Sequence, residues 1–239
     1  MLFQKLVSKA AAPSGIQYVG GRTFAFAGTT DDVTISLSGT LSGGLATSPS
    51  SGDVAIVYFG TGSTLDNELI VSGYTEIVEL YANSTFDTNL VVAYRILNLF
   101  TVGSVFLTGG SRNTSNAGAV AIQVWRGVDA TTPLDVTRTT STTTNSVICN
   151  PPAITPITSG AIIVSGGAGA HNVGAETFSS SDLTNFLTVG SGDTNDATIG
   201  LGYKVWTSGA FDPAQFTFGG TDSTTFSSAS VTLALRPAE

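Results

Sequence analysis

The chain has 239 residues, room for one large β domain or two small ones, and only 11% of them are charged against about 25% in an average soluble domain. Nine scattered Lys and Arg against 17 Asp and Glu leave a net charge of −8, which removes the driving force for binding nucleic acid or an anionic membrane surface. A single cysteine, Cys149, excludes a disulfide framework within the chain, and no apolar run approaches the roughly 20 residues of a membrane span.

In chain order, "MLFQKLVSKAAAPSG" is too interrupted by Gln4, Lys5 and Lys9 for a secretion signal. Its Leu2, Phe3 and Leu6 have helical spacing, so residues 1–15 are expected to form a short arm docked on a neighbour. After Pro13 the chain reads as strands punctuated by Gly, Ser, Thr and Asn. "QYVGGRTFAFAG" and "DDVTISLSG" alternate, with Val33, Ile35 and Leu37 on one face. "GDVAIVYFG" (52–60) is nearly all apolar, as a strand covered on both faces would be. "YTEIVELY" alternates again, with Glu76 and Glu79 at its wet side or end. "GAVAIQVWRGV" (118–128) is another long strand, and "SASVTLALRPA" closes the chain with Val231, Leu233 and Leu235 on one face and Pro237 as the stop.

The chain repeats itself. "SGDVAIVYFGTGS" from Ser51 has a copy in "SGAIIVSGGAGAH" from Ser159, and "FDTNLVVAYRIL" (86–97) in "NDATIGLGYKVW" (195–206). Aligning Tyr94 with Tyr203 gives an offset of 109 residues (203 − 94), and Ser51 with Ser159 gives 108 (159 − 51). A repeat this long, present twice, is neither a propeller blade nor a solenoid coil. The expected fold is all-β: a large antiparallel, jelly-roll-like β-sandwich over 16–239, built from two related and interleaved halves (about 50–128 and 158–237). The Thr- and Pro-rich segment 129–157 is expected to be a long connection between them.

Residues that could carry chemistry are few. His171 is the only histidine, and its glycine-rich surroundings contain no nucleophile elbow, so a strand-end or loop-tip role is expected. One His and one Cys make no zinc site. Asp193, Asn195 and Asp196 are weak calcium candidates, for which the competing reading is turn capping by short polar side chains. Trp125 and Trp206 end strands in opposite halves, as core or interface anchors, or as sugar-stacking rings if exposed. No cofactor and no enzymatic activity are expected.

Several of these stretches, namely "SGYTEIVELYANSTFDTNLVVAYRIL", "AGAVAIQVWRGVDATTPLDV", "SGAIIVSGGAGAH" and "ASVTLALRPA", resemble a family of small virion proteins of tailed bacteriophages and prophages. "VWRGVDATTPLDV" (124–136) is the most specific part, similar to a recurrent V-W-R-G-V-D…T-P-L-D signature. The resemblance implies a non-enzymatic structural protein on the outside of a virion, assembled in the bacterial host cytoplasm. Its partners would be copies of itself, a trimer being one arrangement, and the major capsid protein or tail proteins. Capsid decoration or cementing is favoured; the alternative is a tail or fibre adhesin that binds a host surface glycan. Within the signature, Arg126 and Asp129 flank a glycine turn and are expected to pair and lock the loop before Pro133.

Overall fold

The computed structural model describes residues 15–26, 32–63, 65–66, 68–84, 86–100, 103–109, 117–146, 148–171, 176–192, 196–219 and 226–239. The expected arm with Leu2, Phe3 and Leu6, and the calcium candidates Asp193 and Asn195, lie outside them. The described residues contain no helix. The strands are β1 (Gln17–Phe26), β2 (Asp32–Ser36), β3 (Val54–Ser63), β4 (Leu69–Val71), β5 (Thr75–Ala82), β6 (Asp87–Ile96), β7 (Ser104–Gly109) and β8 (Gly118–Arg126), then β9 (Thr139–Ser146), β10 (Ile162–His171), β11 (Phe178–Ser179), β12 (Thr184–Gly190), β13 (Asp196–Val205), β14 (Thr217–Phe218) and β15 (Phe226–Leu235).

Two five-stranded antiparallel sheets form the centre, ordered β1-β8-β3-β6-β5 and β12-β13-β10-β15-β9. The outer face of the first is covered by a three-stranded sheet, β2-β7-β4, and that of the second by the pair β11-β14. Strands 1, 8, 3 and 6 in one sheet facing 2, 7 and 4 in another is jelly-roll connectivity, with β5 hydrogen-bonded to β6 at the edge. The second half repeats that order as β9, β15, β10, β13 and β12, and bridges at Cys149–Phe216 and Ile154–Phe211 stand where the first half has β2. The halves are therefore not interleaved: each folds into its own sheet of the central sandwich. The expected connection 129–157 also contains a strand, β9, which pairs along β15.

Ladder registers agree with the sequence repeat. Thr75 lies opposite Tyr94 and Thr184 opposite Tyr203, and the two edge strands carry bulges just beyond, between Glu76 and Val78 and between Thr184 and Leu187. Where the sheets meet, residues of β3 touch their own counterparts in β10. The Tyr58 ring lies over Gly166, where a methyl group would come within 2.9 Å of it, and Gly60 faces Ala168, where a methyl group would come within 2.7 Å. Self-counterpart contacts mark a twofold axis, here a pseudo-twofold running along β3 and β10. It places β1 against β12 on one flank and β5 against β9 on the other.

The alternation expected for 33–37 is observed: Val33, Ile35 and Leu37 are buried and the residues between them exposed. They pack with Val57, Phe59, Val91 and Ile122 in the outer core of the first roll. The opposite face of the same strands, with Ile56, Tyr58, Val92 and Ala121, meets Val164, Ile199, Val231 and Leu233 of the second roll in the central core. Because β3 contributes to both, it is buried on both faces, and each fully buried Val, Ile or Phe there is worth about 1.5–3 kcal/mol.

Candidate functional site

The flank where β5 faces the start of the second roll opens into a groove of about 430 Å³. Thr75, Glu76, Ile77 and Tyr94 line it from the first roll, and Leu134, Val136, Thr137 and Arg138 from the second. The bulge in β5 sets the positions of Glu76 and Ile77, and Tyr94 lies across the ladder from Thr75. The opposite wall is clamped. Leu134 bridges to Leu235, and the Asp135 N–H donates to Ala234 O at 2.8 Å. The Asp135 Oδ2 accepts the N–H groups of Ile157 and Thr158 at 2.7 and 3.1 Å, and Arg236 Nε stands 3.4 Å from Oδ1. Burial alone would raise the Asp135 pKa; the hydrogen bonds from Thr158 and Ile157, with the Arg236 charge, outweigh it and hold the carboxyl below its ordinary value.

The groove has a counterpart on the other flank, and there the space is filled. The pairing Tyr18–Trp125 in the β1–β8 ladder corresponds to the bridge Leu134–Leu235, Tyr203 corresponds to Tyr94, and Asn185 to Glu76. Trp125 stands edge-on to Tyr203 with ring centroids 4.8 Å apart, and Tyr18 lies 5.0 Å from Trp125 and 5.2 Å from Tyr203. Asn185, at φ 45°, donates from Nδ2 to Tyr203 Oη and to Gly43 O, both at 3.3 Å. The places that Tyr18 and Trp125 take beside Tyr203 are taken beside Tyr94 by Leu134, which lines the groove, and Leu235, which is fully buried.

Other residues singled out in the sequence fall into structural places. Trp125 is 1% exposed and belongs to the central core. Trp206 is half-buried; its Nε1 donates to Gly209 O at 2.8 Å, and it borders a shallow dent beside Phe211. Arg126 does not pair with Asp129. Its Nε and Nη2 donate to Asp53 Oδ1 and Oδ2 at 2.8 and 2.9 Å, because β8 pairs along β3 and brings the start of β3 beside it. Asp129 Oδ1 instead accepts the N–H groups of Thr131 and Thr132 at 2.7 and 3.0 Å, closing its own turn. Asp196 is fully buried at the start of β13, and His171 ends β10 opposite it in the ladder. Burial pushes the Cys149 thiol up to about 12, far from a reactive thiolate.

Sequence reading passed over Glu76 as a site residue, and with it Tyr94, Leu134 and Arg138, whose positions lie far apart along the chain. The usable signal was inside the repeat: Leu235 falls where the first half has Trp125, which leaves Tyr94 without the partner Tyr203 has. Among the described residues no three His, Cys, Asp or Glu side chains cluster to hold a metal, and no helix is long and apolar enough to cross a membrane. No family model matches the chain, and comparisons with curated proteins and with solved structures give no match either.

Proposed function

We propose that the chain is a non-enzymatic structural protein of a bacteriophage virion, carried on the particle surface in many copies, as a capsid decoration or cement protein in preference to a tail component. Support begins with the resemblance in "VWRGVDATTPLDV". That segment bridges the two rolls: the Asp129 N–H donates to Arg236 O at 2.9 Å, the Ala238 N–H to Gly127 O at 2.8 Å, and the Arg236 N–H to Pro133 O at 3.0 Å.

The observation that carries the reading is apolar exposure at one end of the molecule, the end at which β3 and β10 begin. Leu99 and Phe100, 80% and 96% exposed, follow β6 there; Ile157 precedes β10, Val205 ends β13, and Leu45 is bonded to Tyr18 at the start of β1. Single exposed apolar residues such as Leu65, Ile70 and Phe106 are ordinary, but five of the eight large ones among the described residues lie at one end of a charge-poor protein, which favours seating that end on a neighbour. The expected partner is another virion subunit. Quantitative gel analysis of purified particles tests this, with capsid-like stoichiometry expected. Particles stripped of the protein are expected to lose resistance to heat and osmotic shock, and unchanged resistance would refute the cement role.

A further inference from the structure

We infer that the Tyr94 groove is a binding site for an uncharged sugar ring, a neutral pyranose of a glycan.

The shape argument comes from the two flanks. One backbone frame, repeated by the pseudo-twofold, holds Tyr18 and Trp125 against Tyr203 on one side. On the other side the same frame presents Tyr94 with Leu134 and Leu235 in the places of those rings. Leu134, in the place of Tyr18, lines the opening beside Tyr94, which the smaller side chain leaves without the ring contacts that Tyr203 has. The groove's volume of about 430 Å³ lies within the range of about 300–1,000 Å³ typical of small-ligand sites.

The chemistry of the rim selects among rings. Glu76 supplies a carboxylate that accepts, Arg138 a guanidinium that donates, and Thr75 and Thr137 hydroxyls that do both. No hydrogen bond or ion pair within the described residues engages the side chains of Glu76 or Arg138. One negative and one positive group cancel, so the rim favours neither an anion nor a cation. A purely apolar ring, such as a partner's Phe, would leave the hydrogen-bonding capacity of these exposed rim groups unused. A neutral pyranose satisfies all of the lining: its C–H face packs on Tyr94, Ile77 and Val136, and its hydroxyls bond to Glu76, Arg138 and the threonines.

The test uses the full chain on an array of neutral, acidic and aminated oligosaccharides, followed by titration of the labelled protein with any neutral oligosaccharide retained, monitored by amide chemical shifts. Binding of at least one neutral glycan is expected, with shifts centred on residues 75–77, 94 and 134–138 and at least a tenfold loss of affinity in Tyr94→Ala. Leu134→Tyr, which copies the filled flank into the groove, is expected to keep the fold and abolish binding, so the result does not depend on whether Tyr94→Ala folds well. Capture of acidic or aminated glycans alone, no neutral glycan bound at millimolar concentration, or unchanged affinity in Leu134→Tyr would each overturn the inference. Particle stoichiometry would stand in all three cases, which separates failure here from failure of the structural role.

Discussion

Asp53 is almost wholly buried, and its carboxylate is held by Arg126 from one side and by the Ser50 N–H at 2.8 Å from the other. Arg126 itself is one-third exposed, so the pair is weaker than a fully buried one. Truncation in Arg126→Ala leaves Asp53 short of partners and is expected to cost about 1–3 kcal/mol in chemical denaturation, whereas Asp129→Asn should leave the Arg126 side chain in place. Asp135 gives a pH dependence. Its folded pKa lies below its unfolded value of about 3.9, so its stabilisation is complete above that value and is lost as pH falls through the folded pKa. Asp135→Asn should therefore lower stability at neutral pH by about 1–3 kcal/mol and flatten the loss of stability on acidification, read from melting temperature against pH. Gly127 sits at φ 78° with the Gly15 carbonyl 2.6 Å from where a methyl group would stand. Both backbone strain and that close approach require glycine, which explains one position of the W-R-G-V-D segment physically.

Among the strands, legibility followed the apolar pattern. β2 and β3 were readable because burial on one face gives alternation and burial on two faces gives an unbroken apolar run. β9 was not readable: "TTSTTTNS" has no apolar face, and it is held at a sheet edge by its ladder to β15. Its hydroxyl side chains are supplementary, as where Thr139 Oγ1 donates to Thr232 O at 3.4 Å. The repeat was legible because its registers needed matching residues at matching positions. Interleaving was the wrong expectation, since a repeat says what is equivalent and not which sheet each copy enters. The groove was illegible for a related reason: residues 75–77, 94 and 134–138 meet only through the packing of two sheets. At this scale the crossing of β3 over β10 is the sensitive point. Gly60→Val would drive side-chain atoms into Ala168 and is expected to destabilise by about 1–3 kcal/mol or more, the usual cost of overpacking.

For the molecule as a whole, the central core belongs equally to both rolls. Tyr58 illustrates this: it is fully buried in the first roll, lies over Gly166 of the second, and donates its hydroxyl to Val231 O at 3.0 Å. Separating the rolls would expose the whole central core to water, so calorimetry is expected to show one cooperative transition, and Tyr58→Ala should lower its midpoint in keeping with a loss of about 3–5 kcal/mol. Two separate transitions would mean the rolls are independent units. A charge-poor double roll with five of the eight large exposed apolar side chains of its described residues at one end is suited to being seated on a larger surface through that end. Imaging the purified particle by electron cryomicroscopy tests that most directly. The expected result is density for the double roll on the outer surface, seated through the end that carries Leu99 and Phe100. Particles that lack the chain, or hold it inside the shell, would contradict it.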